Sequence, residues 1–202
     1  MKCPDCGLGY VPDVFEDTRF HKKYHDEIVN GLPAKRAKND RIIWEDSPLR
    51  ITLVNYNSPL SQKKRAEMVA IIARKDTPFD FASYHASEPF DDRNVHVFLL
   101  YLHNRIIGLT VIEKRSNIWK CTWKQYESRE PEILTSHPSI WSIGFVWIHR
   151  RYRRKGLARQ IVKEAASFLA TDMQSIGWYT GFTESGEALI RRLCPDHFYI
   201  AR

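Results

Sequence analysis

The sequence predicts an α+β fold carried behind a small metal-held module, and three observations lead there. Cys3, Cys6, His21 and His25 bring two thiols and two imidazoles into the first stretch of the chain. A hairpin pattern spans His96 to Glu113. A strand, a basic turn and an amphipathic helix follow one another from Ser142 to Ala170. At 202 residues, with 43% hydrophobic and 12% aromatic side chains, the chain can bury a substantial core without a staple. No run approaches the roughly 20 apolar residues of a membrane span, so no membrane partner is expected. The N-terminus has a cysteine pair where a secretion signal needs its apolar region. Two of the 4 cysteines stand alone at Cys121 and Cys194, which suits a reducing compartment better than a disulfide framework. An intracellular setting is therefore expected, cytoplasmic in a prokaryote or phage and nuclear in a eukaryote. The net charge of +7 fits an acidic partner or a solvated basic surface, and charge alone does not choose between them.

Three blocks are expected: a finger over 1–30, a basic linker over 31–47 that ends in turn chemistry, and a mixed domain over 48–202. Within the last, Arg50 to Val54 reads as a strand. Ser61 is placed as the N-cap of a helix from Gln62 to Lys75, with Met68, Ile71 and Ile72 on its buried side. The polar stretch through Pro89 is expected to be partly helical. His96–Leu102 and Ile106–Glu113 form the hairpin, joined at His103, Asn104 and Arg105. Residues 115–138 carry many charges and two prolines and read as an irregular insertion. Ser142–Ile148 is a strand, and Leu157, Ile161, Ala165 and Phe168 make one apolar stripe of the helix that follows. A strand over Trp178–Thr183, a helix over Gly186–Leu193 and a closing strand over Phe198–Ala201 complete the chain.

Cys3, Cys6, His21 and His25 supply a complete tetrahedral shell for zinc. The two histidines, four apart, share one helix face. A closed shell leaves no open coordination position, so the metal is structural. Reading DNA is disfavoured, because Glu16 and Asp17 sit where phosphate- or base-contacting residues would be wanted. Lys22 and Lys23 offer at most weak, non-specific nucleic-acid contact.

The turn Arg153-Arg154-Lys155-Gly156-Leu157-Ala158 opens a helix immediately after a buried strand. Unpaired N–H groups and the helix dipole favour an anion there, and small residues let a diphosphate approach the backbone. This turn is similar to the acyl-CoA-binding turn of the GCN5-related N-acetyltransferases (GNAT), and Ile143–Ile148 resembles that family's cofactor-splaying strand. The resemblance implies a GNAT fold, a mostly antiparallel mixed sheet flanked by helices. It also implies that Val146 and Ile148 bind the pantetheine arm and that Arg153, Arg154, Lys155, Gly156, Leu157 and Ala158 hold the pyrophosphate of acetyl-CoA.

Cys-x-x-Cys-Gly-x-x-Tyr from Cys3, then Glu16-Asp17 and His21-x-x-x-His25, resembles the finger of the cohesin acetyltransferases, and Gly181-Phe182-Thr183-Glu184 resembles their active-site strand. By that resemblance Glu184 is the candidate base, with Thr183 in place of a serine. The family's catalytic serine aligns with Gly144, for which Ser142 is a substitute candidate. Its helix glutamate aligns with Lys163, while Glu164 lies about 100° round the helix and is the remaining candidate. Tyr179 lines either the acceptor cleft or the core.

The expected function is thus acetyl-CoA-dependent N-acetylation of lysine in a protein, an SMC-type or chromatin-associated partner being the implied substrate. Two rivals stay open: acetylation of a small-molecule amine, and a non-catalytic nucleic-acid-binding module with a degenerate fold.

Overall fold

The structure is a computed structural model and describes residues 1–76, 94–129, 132–134 and 138–201. The element order is α1 (Phe15–Asn30), β1 (Leu32–Pro33), β2 (Arg41–Asp46), β3 (Leu49–Asn55), α2 (Leu60–Asp76), β4 (Val95–Leu102), β5 (Arg105–Arg115), β6 (Ile118–Thr122), α3 (Trp123–Ser128), β7 (Glu132–Leu134), β8 (Ile140–Ile148), α4 (Leu157–Phe168), β9 (Gly177–Tyr179), α5 (Glu184–Leu193) and β10 (His197–Ala201). One sheet runs β2-β3-β4-β5-β8-β9-β10-β6-β7, with β1 added beside β5. Among the described residues only the β8–β9 and β9–β10 contacts are parallel.

Strand alternation divides the core in two. On β4, Phe98 and Leu100 face a core shared with Ile161, Val162 and Ala165 of α4 and Ile190 of α5. Val97, Leu99 and Tyr101 face the other side, against Ala66, Val69, Ala70 and Ala73 of α2. The central strands therefore read as unbroken apolar runs because both of their faces are covered.

Several expectations need correction. Residues 31–47 are not a free linker: β1 pairs with β5 and β2 with β3. The segment between them is tied to α2, since Gln62 Nε2 donates to the Asn39 carbonyl at 2.7 Å and Arg65 pairs with Asp40 at 3.1 Å. Helix α2 begins at Leu60, so Ser61 lies inside its first turn and is not its N-cap. Met68 and Ile71 are exposed, while Ile72 is buried as expected; it shares the buried face with Val69 and the small residues Ala66, Ala70 and Ala73, which let the helix lie close to the sheet. The described part of the 115–138 region is not irregular: β6 pairs with β10 and β7 with β6, and α3 starts with a Thr122–Gln125 capping box. Strand β9 ends at Tyr179, short of the expected Thr183. The expectation of helix in the stretch up to Pro89 lies outside the described residues from 77 onward.

Helix α1 buries none of its residues fully. It is held to the sheet at its C-terminal end. Arg105 donates two hydrogen bonds to Asp26, each 3.0 Å, and a third to the Gly31 carbonyl at 2.9 Å. Gly31 has φ +89°, and a Cβ there would lie 2.7 Å from the Ile106 carbonyl oxygen, so the chain can pass only as glycine.

Candidate active site

Strand β8 carries an extra residue. Val111 pairs with Phe145 and Ile112 with Ile143, leaving Gly144 bulged between them. On its other side β8 pairs with β9 only at Ser142–Gly177 and Ile143–Trp178. From Gly144 onward the two strands have parted. The opening is a cleft of about 1050 Å³, with Ile143, Val146, Trp147 and Ile148 on one wall and Trp178, Tyr179 and Phe182 on the other.

At the wide end of the cleft, past Ile148, lies the start of α4. Arg154 has φ +61° and Gly156, the residue before the helix, has φ +78°. No side chain caps the helix start, and a Cβ at Gly156 would meet nothing within 4 Å. The first N–H groups of α4 thus face open space beside Arg154, an arrangement that suits an anion. Arg153 is committed elsewhere. Its Nε donates to the Ile148 carbonyl at 2.8 Å, and its guanidinium pairs with Asp76, which also accepts from Trp147 Nε1 at 3.0 Å. The Lys155 ammonium lies 5.7 Å from the Tyr152 ring and does not line the cleft.

Of the expected cofactor residues, Val146, Ile148, Arg153, Arg154, Gly156, Leu157 and Ala158 line this one cleft. Thr183 and Glu184 line its rim. Thr183 caps α5, its Oγ1 accepting from the Gly186 N–H at 3.1 Å, and the exposed Glu184 is the first residue of that helix. Glu164 is not brought to the cleft. It accepts from Gln160 at 2.9 Å and lies 3.7 Å from Lys163, because the α4 stripe that meets the sheet is Ile161, Val162, Ala165 and Ala166. Ser142 is fully buried and its Oγ turns back to the Ile140 carbonyl at 3.5 Å.

Glu113 escaped the sequence reading. It lines the cleft from β5, accepting from the Tyr179 hydroxyl at 2.7 Å and pairing with Arg115 at 3.0 Å. Burial first, and then the hydrogen bond to Glu113, raise the Tyr179 pKa well above the usual phenol value, so Tyr179 stays a donor. The usable signal was strand parity: Glu113 and Arg115 share the face that Lys114 does not.

At the N-terminus the ligand atoms of Cys3, Cys6, His21 and His25 lie within 4.8 Å of one another, with Cys3 Sγ 3.3 Å from His25 Nδ1. Nε2 of His21 is buried with no hydrogen-bond partner, as expected of a metal ligand. The Cys6 backbone N–H holds the Cys3 thiol down to a pKa of about 6, which favours the thiolate a metal needs. Two thiolates and two imidazoles at this spacing fit zinc.

A model of the GNAT acetyltransferase family matches residues 66–184, more than half of the chain. The chain belongs to the GNAT family. A second model, the zinc finger of the ESCO acetyltransferases, matches residues 1–27. The GNAT chain is 25% identical over 199 residues to the N-acetyltransferase ECO1 of Candida glabrata, covering 87% of itself and 75% of that relative. It is 24% identical to mouse N-acetyltransferase ESCO2, but spans only 27% of that longer protein. The solved acetyltransferase domain of xEco2, bound to a K105-CoA conjugate, has the same fold: TM-score 0.65 at 18% identity, over 82% of this chain and 98% of that one. This GNAT enzyme is accordingly an N-acetyltransferase that uses acetyl-CoA, and its finger is of the ESCO type.

In the finger, zinc supplies a structural cross-link between the Cys3–Cys6 knuckle and α1. In the cleft, the chain's own groups do three things. The N–H groups at the start of α4 and Arg154 can hold phosphate charge. The β8 backbone, without a strand partner on its β9 side beyond Ile143, can pair with an extended amide-bearing arm. The carboxylates of Glu113 and Glu184 can attract an ammonium or take a proton.

Proposed function

We propose that the chain acetylates lysine side chains of a protein, with acetyl-CoA seated in the cleft between β8 and β9. The carrying observation is that a cofactor-sized cleft and an ESCO-type finger occur in one compact body, joined through Arg105–Asp26 and the β1–β5 pairing. Relatives similar over most of this chain are named ECO1 and ESCO2 N-acetyltransferases. In this reading the pantetheine arm pairs with the backbone of Val146 and Ile148, and the pyrophosphate sits on the Arg154–Ala158 turn. Arg153 shapes the turn through Asp76, and Lys155 faces outward. Thr183 and Glu184 meet the acceptor at the rim. The finger, residues 1–30, presents the protein substrate to the domain over 48–202, with 31–47 stitched into the sheet between them. The likeness to ECO1 and ESCO2 supports an SMC-type or chromatin-associated substrate and nuclear residence as part of this proposal.

The deciding experiment offers purified chain acetyl-CoA with cohesin SMC subunits, histones and a panel of small amines, and reads acetylation by mass spectrometry. Modified protein lysines are expected. Turnover of free amines with no protein modified would overturn the lysine assignment.

A further inference from the structure

We propose that Glu113 is the carboxylate that takes the proton from the acceptor amine, with Tyr179 as its positioning residue. The inference rests on the acetyl-transfer reading above and extends it to the acid–base step.

Among the described residues, three carboxylates line the cleft: Asp76, Glu113 and Glu184. Asp76 is occupied by Arg153 and Trp147 at the wide end. Glu184 is exposed at the rim, where water competes for any proton it handles. Glu113 differs in both respects. Its side chain is 17% exposed, and its position pairs with Ser142, in the last stretch where β8 still has β9 as a neighbour. Tyr179 follows directly after the last β9 residue paired to β8. Together they flank Gly144, the first residue of the opening.

Gly144 keeps that place clear. A Cβ built on it would stand 3.6 Å from Glu113 Oε1 and 3.7 Å from the Tyr179 ring, so a larger side chain would press on the pair. A diphosphate at the Gly156 turn and an arm lying along β8 would bring the acyl end toward this apex. The run from Ile148 back to Gly144 is about 13 Å of extended strand. The acceptor amine must meet the acyl carbon there.

The pair is built for the task. Tyr179 donates to Oε1 and Arg115 holds Oε2, so the carboxylate cannot swing away, yet each oxygen keeps a lone pair for an incoming proton. In the step, the amine nitrogen attacks the thioester carbon, a C–N bond forms and the carbonyl π pair moves to oxygen. The ammonium of this tetrahedral species gives one proton to Glu113, directly or through one water. Collapse breaks the C–S bond, and CoA leaves as its thiolate. Glu113 returns its proton to solvent and the thiolate takes one from solvent, which restores the site.

The test compares wild type, E113Q, E113A, Y179F and E184Q by steady-state turnover and by acetyl-CoA calorimetry. E113Q preserves size and should keep the acetyl-CoA Kd within about twofold, while kcat drops by about 10²-fold or more. Y179F should lose less, about tenfold, as expected for a residue that acts through another. Added formate, a small exogenous carboxylate, should restore part of the turnover of E113A and none of E184Q. Active wild type together with a fully active E113Q overturns the proposal. So does an inactive E113A that binds acetyl-CoA normally but does not respond to formate. Wild type that acetylates no amine at all overturns the acetyl-transfer reading itself.

Discussion

At the level of single residues, backbone geometry and charge placement make two sharp predictions. Gly31→Ala puts a methyl group 2.7 Å from a carbonyl oxygen in a conformation that only glycine adopts readily. It should lower stability by about 1–3 kcal/mol in denaturant titration. Arg154→Glu reverses charge beside the uncapped start of α4 and should weaken acetyl-CoA binding at least tenfold by calorimetry, about 1.4 kcal/mol. The turn itself was legible in the sequence because its pattern is local, although Lys155 does not line the cleft and Arg153 is committed to Asp76. Glu113 was not, since its meaning depends on Tyr179, 66 positions away, whose hydroxyl it accepts. Glu164 was a candidate only through the family's helix glutamate, which aligns with Lys163 one place earlier. About 100° of helical rotation leaves Glu164 beside Gln160 and Lys163 and away from the cleft.

Among the elements, the finger and the Arg153–Ala158 turn are more closely joined than spacing along the chain suggests. The short 3-10 turn Arg150–Tyr152 leads directly into it. Arg150 donates to the Asp5 carbonyl inside the cysteine knuckle, and Arg151 reaches the Asn30 side chain at 2.5 Å. Buried His149 donates from Nε2 to the Ile28 carbonyl at 2.8 Å. Removing zinc, by chelation or by Cys6→Ser, should therefore speed hydrogen exchange in α1 and also in residues 149–152, with β4 unaffected. Protection unchanged at 149–152 would show that the turn stands without the finger. Elements with strong internal patterns were readable, as with the β4–β5 hairpin and the stripe of α4. Strands β1, β2, β6 and β7 were not, because short strands at or next to a sheet edge draw their definition from partners distant in sequence.

For the whole molecule, acidification should be destabilising. Burial lowers the pKa of both His149 and His96, so the folded state holds them neutral. The His149 ring fits only that way, since Nδ1 accepts from the Arg151 N–H at 3.2 Å while Nε2 donates. An unfolded chain takes up these protons near pH 6.5. Stability is thus fully present above that pH and falls as pH drops toward the lowered folded values. Melting temperature should be lower at pH 5.5 than at 7.5, and His149→Gln, which can still donate and accept, should narrow the difference. The sheet's two leaves share only two residue pairs at Ser142–Gly177 and Ile143–Trp178, with α4 bridging above them. A bound arm lying along β8 would act as a temporary extra strand, and loading the enzyme would be a late stage of its folding. Cofactor supply would then set how long the protein survives as well as how fast it works, with the empty enzyme the more readily degraded form.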